Sequence, residues 1–266
     1  MRAASVGASP AMRSRALVGA MTSTISLGVG LILWEIVGRA WDVSFFPPFT
    51  EVVEALGELF ETGAIQQNLA ASLTNLLLGF TISVIGGVLI GALMGLFPII
   101  NSALDMYVYA LLTAPSLVFA PIFFSIFGLG RGSIVALIVT YAMFIIIINT
   151  ADGVRGVRRD LVEMAQSYNA TRFQTVRWVV IPAATPMIMA GLRLGVTRAV
   201  KGMINGEMFI AVVGLGRVVT QAGGRFDAAA VLAILIVIIA VAWLASALVR
   251  AIDNRLTSWL PSINRR

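Results

Sequence analysis

The sequence contains no cysteine and no histidine. The first absence excludes a disulfide framework and a thiolate nucleophile. The second excludes a Ser-His-Asp triad and a His-based metal site. Lysine occurs once, at Lys201, followed by Gly202 and Met203, so no G-x-x-x-x-G-K-S/T phosphate loop exists in the chain and it is not itself an ATPase. Charge is also scarce: 12% of the residues are charged and 59% hydrophobic, against about 25% charged in a soluble domain. The composition is that of an integral membrane protein. With clustered carboxylates missing as well, the acid, base or metal set of a membrane enzyme is lacking.

What is present are apolar runs long enough for helices, since about 20 residues cross a hydrocarbon core. No ten-residue alternation of the barrel type occurs. Six spans are predicted, at 17–40, 69–97, 104–128, 132–151, 187–213 and 228–252. The run from Ala16 to Ala40 exceeds a secretory h-region of about 7–15 residues and no convincing small-residue cleavage site follows, so it reads as a retained first helix. The fifth span is the weakest because it carries Arg193, Arg198, Lys201 and Glu207.

The net charge of +6 does not indicate nucleic acid, because no basic patch with interleaved aromatics and no DNA-binding motif is present. The arginines instead report topology. Arg2, Arg13 and Arg15 precede the first span, Arg155, Arg158, Arg159, Arg172 and Arg177 lie between the fourth and fifth, and Arg250, Arg255, Arg265 and Arg266 end the chain. The connection from Trp41 to Asn68 has none, and carries Asp42, Glu51, Glu54, Glu58 and Glu61. By the positive-inside rule both termini are cytoplasmic. The expected organisation is a tail at 1–16, a membrane domain at 17–252 and a second tail at 253–266.

Two local patterns refine this frame. Gly87, Gly91 and Gly95 share one helical face and permit close backbone approach, either inside one subunit or at a subunit seam. Pro115 and Pro121 are expected to kink the third span.

The segment 152–186, DGVRGVRRDLVEMAQSYNATRFQTVRWVVIPAATP, is a basic helix-turn-helix-like island between apolar stretches. Leu161, Met164, Ala165 and Tyr168 fall on one helical face. So short a helix is marginal alone and needs a surface to pack on, either a partner protein or lipid headgroups.

Glu163-Met164-Ala165, then Asn169, then Ile181-Pro182 resembles the EAA motif of ABC transporter permease subunits. Met164 stands where that pattern has Ala, and Asn169 where it has Gly. Asn is the next-best residue for a left-handed helix stop. Further likenesses are SLTNLLLGF from Ser72, FGLGRGS near Arg131, GLRLGVTRA from Gly191 and GEMFIAVVGLG from Gly206. Together they cover about residues 30–260 and resemble the nitrate/sulfonate/taurine branch of binding-protein-dependent permeases.

The resemblance implies an all-α inner-membrane importer subunit with six transmembrane helices and a cytoplasmic coupling helix between the fourth and fifth. It implies pairing with a second copy, a separate ATPase subunit carrying ATP and Mg, an extracytoplasmic substrate-binding protein, and no cofactor on this chain. Glu163, Ala165, Asn169 and Pro182 take the ATPase-coupling role by the same resemblance. The alternative is a gradient-driven secondary transporter, which requires inverted repeats and a working carboxylate at mid-membrane; no repeat is evident, and only Glu207 qualifies as the carboxylate.

Arg198, Lys201 and Asn205, spaced by three and four, form one stripe of the fifth span. A charge at that depth costs at least about 2.5 kcal/mol. The stripe therefore faces a water-filled route, where with Glu207 it would pass an anionic solute, or it pairs with a carboxylate. Glu35, beside Trp34, reads as an interfacial anchor.

Overall fold

The computed structural model describes residues 10–41, 45–210 and 212–258. Asp42 and the arginines at 2, 265 and 266, counted above for topology, lie outside the described residues, as does most of each terminal tail. The described residues form helices only.

Helix α6 (Arg131–Arg155) is the centre of the molecule, packed between α3 (Ala64–Leu96) and α9 (Ile181–Ile210). The contact with α3 runs along glycines. A Cβ on Gly79 or Gly87 would meet the side chains of Ile138 or Ile146, and one on Gly95 would meet Val154. The small-residue face is thus spent inside the subunit, the first of the two alternatives its spacing left open. On the other side, Gly191, Gly195 and Gly202 of α9 sit against Asn149, Ile146 and Tyr141 of α6. The buried apolar set centres on Ile134, Ile138, Ala142, Ala199, Met203, Leu215 and Ile234.

Among the described residues five helical stretches are long and apolar enough to cross a membrane: Thr24–Trp41 of α1 (Pro10–Trp41), α3, α6, the continuous stretch ending in α9, and α11 (Ala228–Leu256). The third expected span, 104–128, is not one kinked rod. It is α4 (Pro98–Thr113) and α5 (Ala120–Phe127), joined by a 3-10 turn at Ser116–Phe119 and bent by 97°. Pro115 drives Ala114 into an extended backbone (ψ 138°) and so ends α4. Pro121 falls at the start of α5, where no donor is required. Two prolines six residues apart produce a corner where a kink was expected.

Two segments expected as connections are helical. Helix α2 (Phe49–Glu61) packs on α11 and α3, with Val52 buried and Glu51, Glu54, Glu58 and Glu61 exposed. Its charges, used for topology, mask a 3.6-residue apolar period. Trp34 Nε1–H donates to the Pro47 carbonyl (3.1 Å), and Glu35 accepts from the Thr50 amide (3.1 Å) and from Arg39 (2.6 Å). Glu35 therefore caps α2 from α1, a firmer role than interfacial anchoring. Helix α10 (Leu215–Gly224) fills the second connection and lies against α9, α11 and α3.

Candidate functional site

Past Arg155 the chain forms two short helices, α7 (Arg159–Ser167) and α8 (Arg172–Thr175), and continues through π-helical turns at Val176–Val180 into α9. The start of α9 is therefore Ile181, six residues before the expected 187, and α6 extends past the expected 151. The π segment has a cause. Pro182 has no N–H to offer the preceding turn, and the wider winding, with Ile181 N bonded to the Val176 carbonyl, accommodates it.

Helix α7 is shaped by its ends. At the N-terminus Asp160 pairs with Arg158 and accepts from the Leu161 amide (3.0 Å). The Arg158 guanidinium holds the Asp160 carboxyl below its usual range. At the C-terminus the Asn169 amide reaches the Gln166 carbonyl (2.9 Å) and the Ala170 amide reaches the Ala165 carbonyl (3.1 Å), with Asn169 at φ 57°. This is a Schellman stop built on Asn. Thr171 and Gln174 then form a capping box that starts α8. The T-x-x-Q pattern is the sequence signature of this helix start.

An Asn169→Val variant is expected to lose about 1–2 kcal/mol, because a β-branched residue resists the left-handed region, while Asn169→Gly holds or gains stability. Thermal melting of the detergent-solubilised chain checks this; equal melting of the two variants would remove the turn from the argument.

Of the four motif residues, Glu163 is exposed, Ala165 is buried, Asn169 makes the turn and Pro182 is half-buried at the head of α9. The structure puts the first three in one helix and its stop, and α7 packs on the π segment that leads to Pro182. The predicted face splits: Ala165 turns inward, while Met164 (53% exposed) and Tyr168 (82%) point out, with Phe173 and Trp178 also exposed nearby. Val162 reaches inward to a cluster made by Leu96 at the end of α3, Val154 and Val157 at the end of α6, and Val180, Ala184 and Ile188 around the start of α9.

The second candidate group divides. Arg198, Lys201 and Asn205 share one face of α9, and Asn205 Nδ2 donates to the Tyr141 hydroxyl (2.8 Å). Arg193 on the same helix pairs with Asp253 of α11 (3.0 Å). Glu207 does not belong with them. It is 0% exposed, and its carboxylate accepts from Ser72 Oγ (2.7 Å), Asn75 Nδ2 (3.2 Å) and the Gly216 amide (3.2 Å). The Leu215 amide donates to the same Ser72 hydroxyl (2.8 Å), and the Gly214 amide to Asn68 (3.1 Å). Glu207 thus fastens the N-terminus of α10 to α3. Its assignment to a solute pathway is corrected by this enclosure, and Asn68, Ser72 and Asn75, which sequence reasoning missed as a polar set, are its frame.

Comparison with known proteins agrees with this architecture. Residues 83–258 match the family model described as binding-protein-dependent transport system inner membrane component. The chain is 32% identical to the taurine transport system permease protein TauC of Escherichia coli, over 89% of this chain and 90% of that one. It is 30% identical to the putative aliphatic sulfonates transport permease protein SsuC of Bacillus subtilis, over 91% and 88%. The nitrate import permease protein NrtB of Synechocystis is 28% identical over 72% and 73%. Among solved structures, an inward-facing form of the MetNI methionine ABC transporter shares the fold, with a TM-score of 0.56 and 20% identity over 71% of this chain and 93% of that chain. With its helices, its spans and these relatives, the chain is a multi-pass inner-membrane transport component and belongs to the nitrate/sulfonate/taurine branch of the binding-protein-dependent ABC permeases.

Proposed function

We propose that this chain is the membrane-spanning subunit of an importer for a small anion of the sulfonate, taurine, nitrate or aromatic-carboxylate class. It pairs with a second copy of itself and is driven by ATP hydrolysis on a separate subunit docked at α7. The observation that carries this reading is the construction of α7: an exposed acidic and apolar surface of Glu163, Met164 and Tyr168, tied by Val162 to the ends of three spans. A docked ATPase that moves α7 moves α3, α6 and α9 together, which is what alternating access requires.

The arginines near α7 and at the end of α11 support a cytoplasmic position for that end of the bundle and for both termini. The acidic helix α2 and helix α10 then face outward, where a soluble binding protein delivers solute. Arg198, Lys201 and Asn205 line the route in this reading. A gradient-driven carrier is disfavoured by the state of Glu207, the intramembrane carboxylate such a carrier would use: it is fully enclosed by hydrogen-bond donors.

The test is co-purification in detergent with the candidate ATPase. Glu163→Arg is expected to reduce recovery of the complex at least tenfold while the chain elutes as a folded species. Equal recovery of wild type and variant would remove Glu163 from the docking surface. No complex with wild type under any nucleotide condition would overturn the importer reading in favour of the carrier.

A further inference from the structure

Lys201, the chain's sole lysine, lines a shallow cavity of about 300 Å³ with Tyr141, Val200, Ile204, Asn205 and Ile238. Two neighbours fix its depth independently. Tyr141 lies ten residues into α6 from Arg131, and Ile238 ten residues into α11 from Ala228. Each distance is about 15 Å at 1.5 Å per residue. The ammonium is therefore well below the headgroups, at a level where a charge without a counter-charge is costly.

Among the described residues no intramembrane carboxylate is free at that level. Glu207 is enclosed by Ser72, Asn75 and Gly216, Asp253 is held by Arg193, and Glu35 by Arg39. Asp105 sits seven residues into α4 from Pro98, about 10 Å from the α7 end. Tyr141, marking the level of Lys201, is fourteen residues from Arg155 at that same end, about 21 Å away. A second copy's Asp105 is therefore displaced in depth from Lys201. Among the described residues Lys201 makes no ion pair and no hydrogen bond.

The neighbouring hydroxyl completes the chemistry. Tyr141 accepts from Asn205, so its own O–H is directed elsewhere and remains available to donate. The cavity thus offers one ammonium and one phenolic donor beside the apolar surfaces of Val200, Ile204 and Ile238. That combination suits an anionic head with a carbon body.

We propose that Lys201 and Tyr141, with Asn205 holding the Tyr141 ring in place, form a mid-membrane subsite for a small organic anion, the sulfonate or carboxylate on the two donors and the carbon chain on the apolar walls. The proposal deepens the importer reading and rests on it for the identity of the route. Its test does not need the ATPase. Because the chain has one lysine, reductive methylation with 13C-formaldehyde gives a single side-chain signal besides that of the N-terminal amine. Propanesulfonate is titrated into the full-length chain in nanodiscs, with propanol as the uncharged control.

The Lys201 signal is expected to shift saturably with propanesulfonate and not with propanol. Tyr141→Phe is expected to weaken the apparent affinity about tenfold, the effect of one lost hydrogen bond to a charged group. A signal indifferent to propanesulfonate, or one that moves instead on Asp105→Asn, overturns the subsite, the latter in favour of an ion pair with a second copy. An equal response in Tyr141→Phe and wild type overturns the role of the hydroxyl. Failure of the importer reading shows separately, as absence of an ATPase complex with the titration unchanged.

Discussion

Glu207→Ala is expected to remove most of the folded chain from the monodisperse peak in detergent and to lower the melting temperature of what remains. The carboxylate is 0% exposed and receives Ser72, Asn75 and the Gly216 amide. Each buried donor left without a partner costs roughly 1–3 kcal/mol. The effect does not stop at the side chain. Ser72 is oriented by its bond to Glu207 so that it can accept from the Leu215 amide, and Gly216 is the second residue of α10. Both amides belong to the first turn of α10, whose donors have no partner within the helix. Loss of the carboxylate therefore frees the start of α10 from α3.

Glu207→Gln separates shape from charge. It fills the same space, but its amide nitrogen meets donors where an acceptor is needed. Asn75 Oδ1, which is buried without a partner, gives that nitrogen one acceptor. The Gln variant is thus expected to fall between wild type and Ala. A Glu207→Ala protein that accumulates and melts like wild type would show that the network contributes nothing to the fold.

The same residue shows where the sequence was legible and where it was not. A carboxylate inside a span reads by default as functional, and that default put Glu207 with Lys201. The corrective signal lay seven and nine residues further on. A Cβ on Gly214 would sit 2.1 Å from the Glu207 carboxyl carbon and one on Gly216 2.6 Å from its Cβ, and Gly214 takes φ 91°. A glutamate followed by G-x-G thus marks a carboxylate lodged against a turn, which a one-dimensional periodicity argument does not reveal.

Elsewhere local chemistry was decisive. Asn169 was readable as a left-handed stop from its residue type and its place after a short amphipathic helix, and it adopts that conformation. Pro115 and Pro121 were readable as a disturbance, but the size of the bend depends on Ala114 being forced extended, a property of the residue before the proline. Helix α2 was hidden because four glutamates on one face were counted as loop charge, although Val52 on the opposite face is fully buried. The segment 152–186 was the most legible part, since an amphipathic island between apolar runs needs something to pack against. Its link to three spans through Val162 is tertiary and had no sequence signal.

The second large effect is expected at Gly91. A Cβ there would lie 2.5 Å from the Ile147 carbonyl oxygen and 2.7 Å from Thr150 Cβ. The obstacle is backbone and a β-branched side chain at its root, so no rotamer change relieves it, and the two helices must separate. Separation is costly here because α3 and α6 make one of the two most extensive contacts in the fold, and because membrane helices associate through close packing without hydrophobic expulsion between them.

Overpacking in an accommodating core costs roughly 1–3 kcal/mol. Gly91→Leu exceeds that case, since it also pulls Gly87 and Gly95 from Ile146 and Val154. The variant is expected not to accumulate in the membrane, and Gly91→Ala to accumulate with a reduced melting temperature. The matched control is Gly30→Leu in α1, where an added Cβ meets nothing within 4 Å, and which is expected to behave as wild type. Equal accumulation and melting of Gly91→Leu and Gly30→Leu would mean that α3 and α6 do not meet along the glycine face.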